Sequence, residues 1–479
     1  MDDKIADYIL NLLNTTPYLV ESGIKEYEKT LNHRIEFFEF KKYIDEFLTK
    51  ETKNRFFIMP GLRGVGKTTL IFQLYDYLLN ERNISKDRIL FLDLDRIKDN
   101  PNFDLIDYFD YFIKDVHEAY PIVHEPVFIF VDETQYADNW ALSGKIIFDE
   151  NKKVFMIFTG SNALNLEYTN DASRRAIDFP LYPLNFSQYL FLKHNIRSPV
   201  NTSKVLENLL WTGDITQANK IENKLIKDVF LKLNRNKQKE WEDYIKYGDL
   251  PFGFNQNPEK IISLTLNMKD RIIEKDLDVI KSFTSPTRLA TYKLINILAM
   301  KKPGPISYNT LASDLDISYE TVSSIISALE KTHLIFHLEP YGSPESRARK
   351  KWDYYFLSSQ VKSSIYLSNG QASRNPNEFL SLLSENLVAS SLFKMKENGL
   401  KNFSIFKDNE KNGVDFVLNS ITGERVPIEV GMGNKSLKQV KKAIKKYKTD
   451  YGILISNRTE TITKEDNVIN IPLITFSFM

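Results

Sequence analysis

The sequence predicts an α/β protein whose core is a parallel, doubly wound sheet, and three observations support that class. Five short β-prone runs alternate with helical segments. A glycine-rich turn joins the first run to a helix, and the third run ends in two acidic residues. Strands that alternate with helices are joined by crossover connections, which favour parallel pairing. The predicted strands are residues 56–59, 89–94, 127–131, 154–159 and 177–181.

Length and composition narrow the class of protein. The chain has 479 residues, enough for about three domains. Its 64 Lys and Arg residues balance 63 Asp and Glu residues, so any nucleic-acid binding must come from local patches. The absence of cysteine excludes disulfide, Fe–S and zinc-ribbon sites and favours a cytoplasmic location. An acidic N-terminus and the lack of a long apolar run predict neither a signal peptide nor a membrane span.

The glycine-rich turn matches the pattern G-x-x-x-x-G-K-[ST] of a nucleotide-binding P-loop. Its backbone N–H groups would face phosphates at the start of the following helix. Lys67 is predicted to reach the β- and γ-phosphates, and the Thr68 hydroxyl to bind Mg²⁺. A chance glycine turn is the alternative, which the strand before it and the helix after it disfavour. The predicted nucleotide-binding residues are Gly61, Leu62, Arg63, Gly64, Val65, Gly66, Lys67, Thr68 and Thr69.

A second acidic motif follows the apolar run 127–131, which fits a strand buried on both faces of a parallel sheet. Asp132 is predicted to hold Mg²⁺, usually through water. Glu133 is predicted to polarise the water that attacks the γ-phosphate. Alone, this pair fits a solvated loop or a helix cap equally well. The P-loop upstream favours the catalytic interpretation.

Two further pairs are candidate catalytic residues. Ser161 and Asn162 follow the apolar strand 154–158 and could orient the hydrolytic water; capping the next helix is an equal alternative. Arg174 and Arg175 are candidate arginine fingers for the γ-phosphate of their own chain or of a neighbouring subunit in a homo-oligomer. A surface ion pair is the alternative for the two arginines.

The remaining chain divides into further segments. Three predicted helices, at 292–300, 308–315 and 319–332, precede two strand-like runs in the order of a winged helix. The basic loop 346–351 lies where a wing would contact a DNA backbone. Weakly sequence-selective binding of duplex DNA is therefore expected, and a protein-interaction module is the alternative. The expected domains are N-terminal helices at 1–54, a nucleotide-binding core at 55–200, a helical lid at 201–285, a winged helix at 286–358 and a C-terminal α/β domain at 375–479.

These motifs together resemble the prokaryotic, archaeal-type AAA family of P-loop ATPases, in the ASCE division, that carry a winged helix and a C-terminal restriction-endonuclease-like (PD-(D/E)XK) domain. Residues 131–135 with Trp140 are similar to the family's hydrophobic-Asp-Glu-x-Gln motif, and 158–162 to its Thr-Gly-Ser sensor. Residues 181–186 resemble its Pro-Leu-Ser-Phe box, although Asn185 replaces serine and Arg174 replaces a glycine before the box. The resemblance implies ATP and Mg²⁺ as cofactors, and no Asn-Lys-x-Asp guanine motif is present.

The resemblance also implies a nuclease-like site near the C-terminus. Asp415 and Glu429, in successive β-rich runs, match the metal-binding acids of that family, and Glu385 matches its supporting acid. Gly431 occupies the position of the catalytic lysine, for which Lys435 or Lys438 could substitute. Both an active and an inactive nuclease therefore remain open.

The next helix carries lysines on one face, which fits either a solvated surface or contact with a phosphate backbone. These lysines are Lys438, Lys441, Lys442, Lys445 and Lys446. The sequence thus predicts a Mg²⁺-dependent ATP-hydrolysing protein that acts on or with duplex DNA. A nucleotide-regulated switch with little turnover and an active DNA endonuclease are the alternatives.

Overall fold

A computed structural model describes residues 3–26, 29–98, 104–117, 124–160, 174–349, 351–370, 375–399, 402–431 and 437–479. The chain forms two compact units, Met1–Tyr182 and Pro183–Met479. The expected lid, winged helix and C-terminal α/β domain all fall within the second unit, and the finer division of that unit stays a prediction. Within the described residues, no helix is long and apolar enough to cross a membrane.

The first unit is built on a five-stranded sheet in which every pairing is parallel. The strand order is β4-β5-β6-β3-β7, so β6 lies between the P-loop strand β3 and the acidic strand β5. The predicted parallel α/β class is confirmed. A short antiparallel hairpin, β1–β2, precedes this sheet. The strands are β1 Lys25–Glu26, β2 Lys29–Thr30, β3 Phe56–Pro60, β4 Ile89–Asp93, β5 Val127–Asp132, β6 Val154–Gly160 and β7 Ile177–Asp178.

Helices cover the sheet of the first unit. The central strands β3, β5 and β6 are buried at every position, as continuous apolar runs in a parallel sheet require. Helix α1 packs against α3 and β4, and α2 packs against α3. The helices are α1 Asp3–Gly23, α2 Ile35–Thr49, α3 Lys67–Asp76, α4 Leu105–Asp110 and α5 Trp140–Glu150.

The second unit combines a helical region with an eight-stranded mixed sheet. Its strand order is β14-β15-β13-β12-β11-β10-β8-β9. The strands are β8 Ile335–Pro340, β9 Asp353–Phe356, β10 Phe403–Lys407, β11 Phe416–Ser420, β12 Arg425–Gly431, β13 Gly452–Ser456, β14 Thr463–Glu465 and β15 Val468–Pro472. The helices are α6 Phe186–His194, α7 Thr202–Thr212, α8 Ile215–Asp228, α9 Lys237–Tyr247, α10 Pro258–Arg271, α11 Leu277–Ile280, α12 Ser285–Met300, α13 Tyr308–Leu315, α14 Tyr319–Lys331, α15 Pro344–Arg349, α16 Ser359–Ser368, α17 Pro376–Asn398, α18 Leu437–Tyr447 and α19 Leu473–Phe476.

The hairpin expected in the winged helix is present but is joined to the C-terminal strands. Helices α12, α13 and α14 precede the antiparallel pair β8–β9, in the expected order. Strand β8 also pairs in parallel with β10, through Glu339 opposite Phe406 and Pro340 opposite Lys407. The hairpin therefore extends the C-terminal sheet.

The expected basic wing loop is wrong in its local structure, because a short helix, α15, occupies Pro344–Arg349. Pro344 begins this helix and Glu345 lies in its first turn, where proline and acidic residues favour a helix start. Arg347 donates to Glu339 at 3.0 Å, and its guanidinium lies 4.9 Å from the centre of the Phe406 ring. This arginine is held against the sheet.

Candidate nucleotide site and carboxylate cluster

The P-loop has the backbone that its glycines permit. Gly64 and Gly66 have φ of 85° and 99°, in the left-handed region that favours glycine. At Gly61 a Cβ atom would lie 2.4 Å from the carbonyl oxygen of Leu181, so only glycine fits there. The loop leads directly into α3, whose first turn supplies backbone N–H groups for an anion.

Lys67 is the first residue of α3, and its side chain folds back over the loop. The residue is 7 % exposed, and its Nζ donates to the carbonyl oxygens of Gly61 at 2.7 Å and Leu62 at 3.4 Å. A buried ammonium needs such acceptors. The loop therefore holds a positive charge where the sequence predicts the phosphates.

Asp132, at the end of β5, lies within hydrogen-bond distance of the P-loop helix. The Thr68 hydroxyl donates to its Oδ2 at 2.5 Å, and the Thr159 hydroxyl on β6 donates to its Oδ1. Burial raises the pKa of Asp132 and the charge of Glu133 raises it further, against the lowering effect of the two threonine hydroxyls. The structure thus brings Thr68 and Asp132, the two predicted Mg²⁺ ligands, together.

Glu133 is held by two neighbours in a backbone conformation uncommon for residues other than glycine. Its φ is 56°, and its Oε1 lies 3.6 Å from the Arg63 guanidinium. The Gln135 side-chain amide donates to its other carboxylate oxygen. Glu133 therefore lies beside the P-loop with its carboxylate already engaged by Arg63 and Gln135.

The predicted sensor residues follow a strand that contacts the P-loop. The Gly61 N–H donates to the carbonyl oxygen of Gly160, the last residue of β6, at 3.3 Å. Ser161 and Asn162 come next in the chain, but they lie outside the described residues. Their predicted role stays a prediction.

The candidate arginine fingers lie away from the P-loop of their own chain. Arg175 donates to Asp149, near the end of α5, at 2.6 Å. Arg174 and Arg175 precede β7, so they lie near the N-terminal ends of the parallel strands. The P-loop follows β3, so it lies at the C-terminal ends of the strands, on the opposite side of the sheet from the two arginines. The contact between Arg175 and Asp149 is an ion pair of the kind given as the alternative for the arginines. An action on the γ-phosphate of another subunit stays a prediction.

Sequence reasoning missed Arg34, a buried residue that braces the P-loop. Its guanidinium donates to the carbonyl oxygens of Val65 at 2.5 Å and Tyr182 at 3.0 Å. It also contacts both carboxylate oxygens of Glu36 at 2.9 and 3.1 Å. No motif marks this arginine, because the P-loop and Tyr182 carbonyls that it contacts are distant in sequence.

These residues fit a nucleotide with Mg²⁺. The loop offers a buried ammonium and backbone donors for phosphate oxygens, and Thr68 and Asp132 offer oxygen ligands of the type that Mg²⁺ prefers. Within the described residues, no cluster of acidic or histidine side chains forms a metal site by itself. A site of one hydroxyl and one carboxylate agrees with that finding, because Mg²⁺ in such sites takes its other ligands from phosphates and water.

The predicted nuclease-like acids lie together at the C-terminal sheet, joined by a lysine that the sequence analysis did not name. Lys407 Nζ donates to Glu385 Oε1 at 2.6 Å and to Asp415 Oδ1 at 3.4 Å. The Asp415 N–H donates to Glu429 Oε2 at 3.1 Å. We call Glu385, Asp415, Glu429 and Lys407 the carboxylate cluster. Burial alone would lower the pKa of Lys407, but Tyr355, Glu385 and Asp415 outweigh it and raise that pKa well above its usual value.

Lys362 and the two lysines predicted as substitutes are the other candidates for this role. Lys362 on α16 is 1 % exposed, and burial lowers its pKa to about 8 although the charge of Glu385 acts to raise it. Lys435, one predicted substitute for the missing lysine, lies outside the described residues. The other, Lys438, is an exposed residue of α18.

The lysine face of α18 is partly neutralised by neighbouring acids. Lys446 contacts Asp408 at 3.0 Å and Glu410 at 2.9 Å, and Lys441 contacts Asp466 at 2.7 Å. The opposite face is buried through Val440, Ala443, Ile444 and Tyr447. The predicted two-faced helix is present, with fewer unpaired lysines than the sequence indicates.

The parallel sheet and the P-loop geometry of the first unit define a P-loop protein. Residues 53–190 match the family model described as an AAA domain. Residues 238–358 and 381–475 match two families described as domains of unknown function, DUF8612 and DUF4143.

The chain belongs to the family of the uncharacterized protein MJ1637 of Methanocaldococcus jannaschii. The two are 30% identical over 475 residues, which cover 98% of this chain and 93% of that protein. An uncharacterized protein of Haemophilus influenzae is 23% identical over 321 residues, covering 63% of this chain and 66% of its own length.

Two solved structures from Aeropyrum pernix resemble the chain weakly. The ORC1 protein in complex with DNA is 10% identical, covers 74% of this chain and 97% of its own, and gives a TM-score of 0.33. The ORC2 protein, in ADPNP and ADP complexes, is 12% identical. The match covers 74% of this chain and 98% of the ORC2 chain, with a TM-score of 0.35. Scores this low support no inference about this chain.

Proposed function

We propose that the protein binds ATP with Mg²⁺ and hydrolyses it. The observation that carries the proposal is the contact of the Thr68 hydroxyl with Asp132, 2.5 Å apart, beside the buried ammonium of Lys67. A structural turn has no need of a hydroxyl, a carboxylate and an ammonium in one place. A phosphate group bound with a divalent cation needs all three.

Each residue has a distinct task in this proposal. The N–H groups of the loop and of the first turn of α3 bind phosphate oxygens, and Lys67 exchanges its contacts with loop carbonyls for phosphate oxygens. Thr68 and Asp132 provide the oxygen ligands for Mg²⁺, which when bound neutralises charge on the β- and γ-phosphates. Glu133 accepts a hydrogen bond from the attacking water once its contacts with Arg63 and Gln135 are released.

Two variants with matched controls test the proposal. Lys67→Ala should abolish nucleotide binding, whereas Lys50→Ala, which removes an exposed lysine of the same unit, should leave it unchanged. Glu133→Gln should bind ATP but release phosphate at least about a hundredfold more slowly. Glu150→Gln, at the end of α5, should keep the wild-type rate. Wild-type protein whose thermal unfolding is unaffected by ATP with Mg²⁺ would contradict the proposal.

A second candidate function is a nucleotide-regulated switch that turns over little ATP. The engagement of Glu133 by Arg63 and Gln135 favours it, because a restrained general base slows hydrolysis without weakening binding. A comparison of rates separates the two candidates. Repeated turnover with a rate limited by chemistry supports the ATPase, and retention of nucleotide after one slow turnover supports the switch.

Duplex DNA is the partner that the surface of α18 fits best. Lys442 and Lys445 lie one turn apart on its exposed side, and within the described part of the chain neither forms an ion pair. Regularly spaced lysines on a helix suit contacts to phosphates, which bind without base readout. The α15 segment should contribute less to DNA binding than the sequence predicts, because Arg347 donates a hydrogen bond to Glu339.

DNA binding by α18 can be tested with a control of identical geometry. Lys442→Glu with Lys445→Glu should weaken duplex binding at least about tenfold and reduce the slope of log K against log salt by about 2. Lys224→Glu with Lys227→Glu makes the same charge change on exposed positions of α8, also three residues apart. That control should bind like wild type. Equal loss in both variants would show that general charge, and not α18, determines the affinity.

An arginine finger acting between subunits requires a homo-oligomer. Mixing Lys67→Ala with Arg175→Ala should then restore activity, since each mixed interface can pair an intact P-loop with an intact arginine. No recovery in mixtures of folded variants would rule out this role for Arg175.

A further inference from the structure

The residues of the carboxylate cluster do not fit the divalent metal that the resemblance to restriction-endonuclease-like domains implies. The Lys407 ammonium lies between Glu385 and Asp415, at 2.6 and 3.4 Å from their oxygens. We propose that Lys407 replaces a divalent cation, so that an internal ammonium holds these acids together and the cluster binds neither Mg²⁺ nor Mn²⁺.

Lys407 is fixed at both ends of its side chain. Its backbone lies at the end of β10, in register with Pro340, and its carbonyl oxygen accepts from the Tyr341 N–H at 2.8 Å. Its side chain is 8 % exposed, and its Nζ lies 5.1 Å from the centre of the Phe416 ring. An aromatic face attracts an ammonium, so this position is favourable even apart from the carboxylates. The ammonium therefore belongs to the folded structure of the cluster.

The carboxylate oxygens also accept from other protein donors. The Tyr355 hydroxyl donates to Glu385 Oε1 at 3.0 Å, and the Val430 N–H donates to Asp415 Oδ2 at 2.8 Å. Glu429 Oε2 accepts from the Asp415 N–H at 3.1 Å. A divalent cation would compete with these donors for Glu385 Oε1, Asp415 Oδ2 and Glu429 Oε2. It would also lie beside the positive charge of Lys407, which opposes its binding.

Lys407 comes from a different strand than the lysine of the nuclease pattern, whose position Gly431 occupies in this chain. In the nuclease pattern the lysine lies two residues after the second acid, on the same strand, where this chain has glycine. Lys407 instead comes from β10, on the other side of β11. Because Lys407 contacts both Glu385 and Asp415, an ion shared by Asp415 and Glu429 would have to bind beside its ammonium. This chain therefore has the acids of the pattern, and the Lys407 ammonium provides the positive charge beside them.

Binding of Mn²⁺ to the nucleotide-free, full-length protein tests the proposal, with the electron paramagnetic resonance signal of free Mn²⁺ as the readout. Wild type and Asp415→Asn should give the same binding curve, because the cluster contributes no site. Lys407→Met removes the charge and keeps an unbranched side chain that is only one atom shorter. This variant should bind an additional Mn²⁺, and the double variant Lys407→Met with Asp415→Asn should lose it.

Two results would overturn the proposal. The first is Mn²⁺ binding by wild type that Asp415→Asn removes. The second is a folded Lys407→Met variant that gains no Mn²⁺ site. If Lys407→Met does not fold, thermal unfolding of wild type still decides: Mn²⁺ should shift its midpoint no more than that of Asp415→Asn. Cleavage of duplex DNA by wild type with Mn²⁺ that is lost in Asp415→Asn would likewise overturn it.

Discussion

The Arg63 guanidinium lies 3.6 Å from the Glu133 carboxylate, so a P-loop side chain contacts the proposed general base directly. Both side chains are about one-fifth exposed, at 21% and 18%, so water weakens this pair only in part. The pair links the phosphate-binding loop to the residue that would activate water. Its effect on turnover can be measured.

Arg63→Ala should raise the steady-state rate of ATP hydrolysis by roughly twofold to tenfold, since it releases Glu133 for contact with water. Gln135→Ala should act in the same direction, because it removes the other contact. The measurement is phosphate release at saturating ATP. A decrease in rate with Arg63→Ala, with unchanged rate in Gln135→Ala, would show instead that Arg63 contacts the nucleotide.

Arg34→Ala should destabilise the first unit by about 2 to 4 kcal/mol, because its buried partners lose their donor. The carbonyl oxygens of Val65 and Tyr182 both accept from this guanidinium, so nucleotide affinity should fall as well. Urea unfolding and nucleotide titration measure the two effects. Arg96→Ala removes an exposed arginine of the same unit and should change neither. Full nucleotide affinity in a destabilised Arg34→Ala would separate stability from loop positioning.

Glu240→Gln should destabilise the second unit at neutral pH, by an amount on the order of 2 kcal/mol. Burial acts to raise the pKa of Glu240, but hydrogen bonds from His194 and Tyr189 and the charge of Lys193 outweigh it and lower that pKa from 4.5 to about 2. A lowered pKa contributes stability above 4.5, which is lost as pH falls toward 2. The difference in midpoint between wild type and variant should therefore shrink below pH 4.5. Glu242→Gln, a partly exposed neighbour, should show little difference at any pH.

Asp249 should show the opposite pH dependence. Its carboxylate accepts from the Ser358 hydroxyl at 2.7 Å and the Ser359 N–H at 2.6 Å, at the start of the buried helix α16. Burial nevertheless raises its pKa from 3.8 to about 6. Its contribution to stability is thus fully present below 3.8 and is lost as pH rises through about 6.

Asp249→Asn should therefore remove a component of the pH dependence of unfolding. The midpoint difference between wild type and the variant should be greatest near pH 4 and fall by pH 7, by an amount equivalent to about 1 to 3 kcal/mol. Thermal unfolding across this range measures it. A difference that grows from pH 4 to pH 7 would mean that the carboxylate is ionised throughout.

The nucleotide site was largely predictable because its chemistry is local in sequence. Residues 61–69 contain the glycine loop, the lysine and the hydroxyl within nine residues. The apolar run of a buried strand predicts the position of Asp132 at its end. The roles of Arg34 and Lys407 were not predictable in this way. Each acts on groups brought near by strand pairing or loop packing, and an isolated arginine or lysine gives no periodic signal.

The segment after β8 shows a different limit. Its basic residues and its position between two strands suggested a wing loop, whereas proline and glutamate at its start favour the short helix that is present. Composition gave the charge correctly, but the structure shows Arg347 bound to Glu339. Charge read from a sequence therefore overestimates the charge that a surface presents.

Strand β8 pairs with β9 on one side and with β10 on the other, so two adjacent ladders of hydrogen bonds join residues 335–356 to residues 403–407. Amide protons in the β8–β9 ladder and in the β8–β10 ladder should therefore exchange with solvent through a shared opening event. A fragment that ends between α16 and α17 would lack β10, so one edge of β8 would be unpaired. Such an edge promotes pairing with other chains. We therefore expect a fragment that isolates either the hairpin or the C-terminal strands to expose an unpaired strand edge and to aggregate.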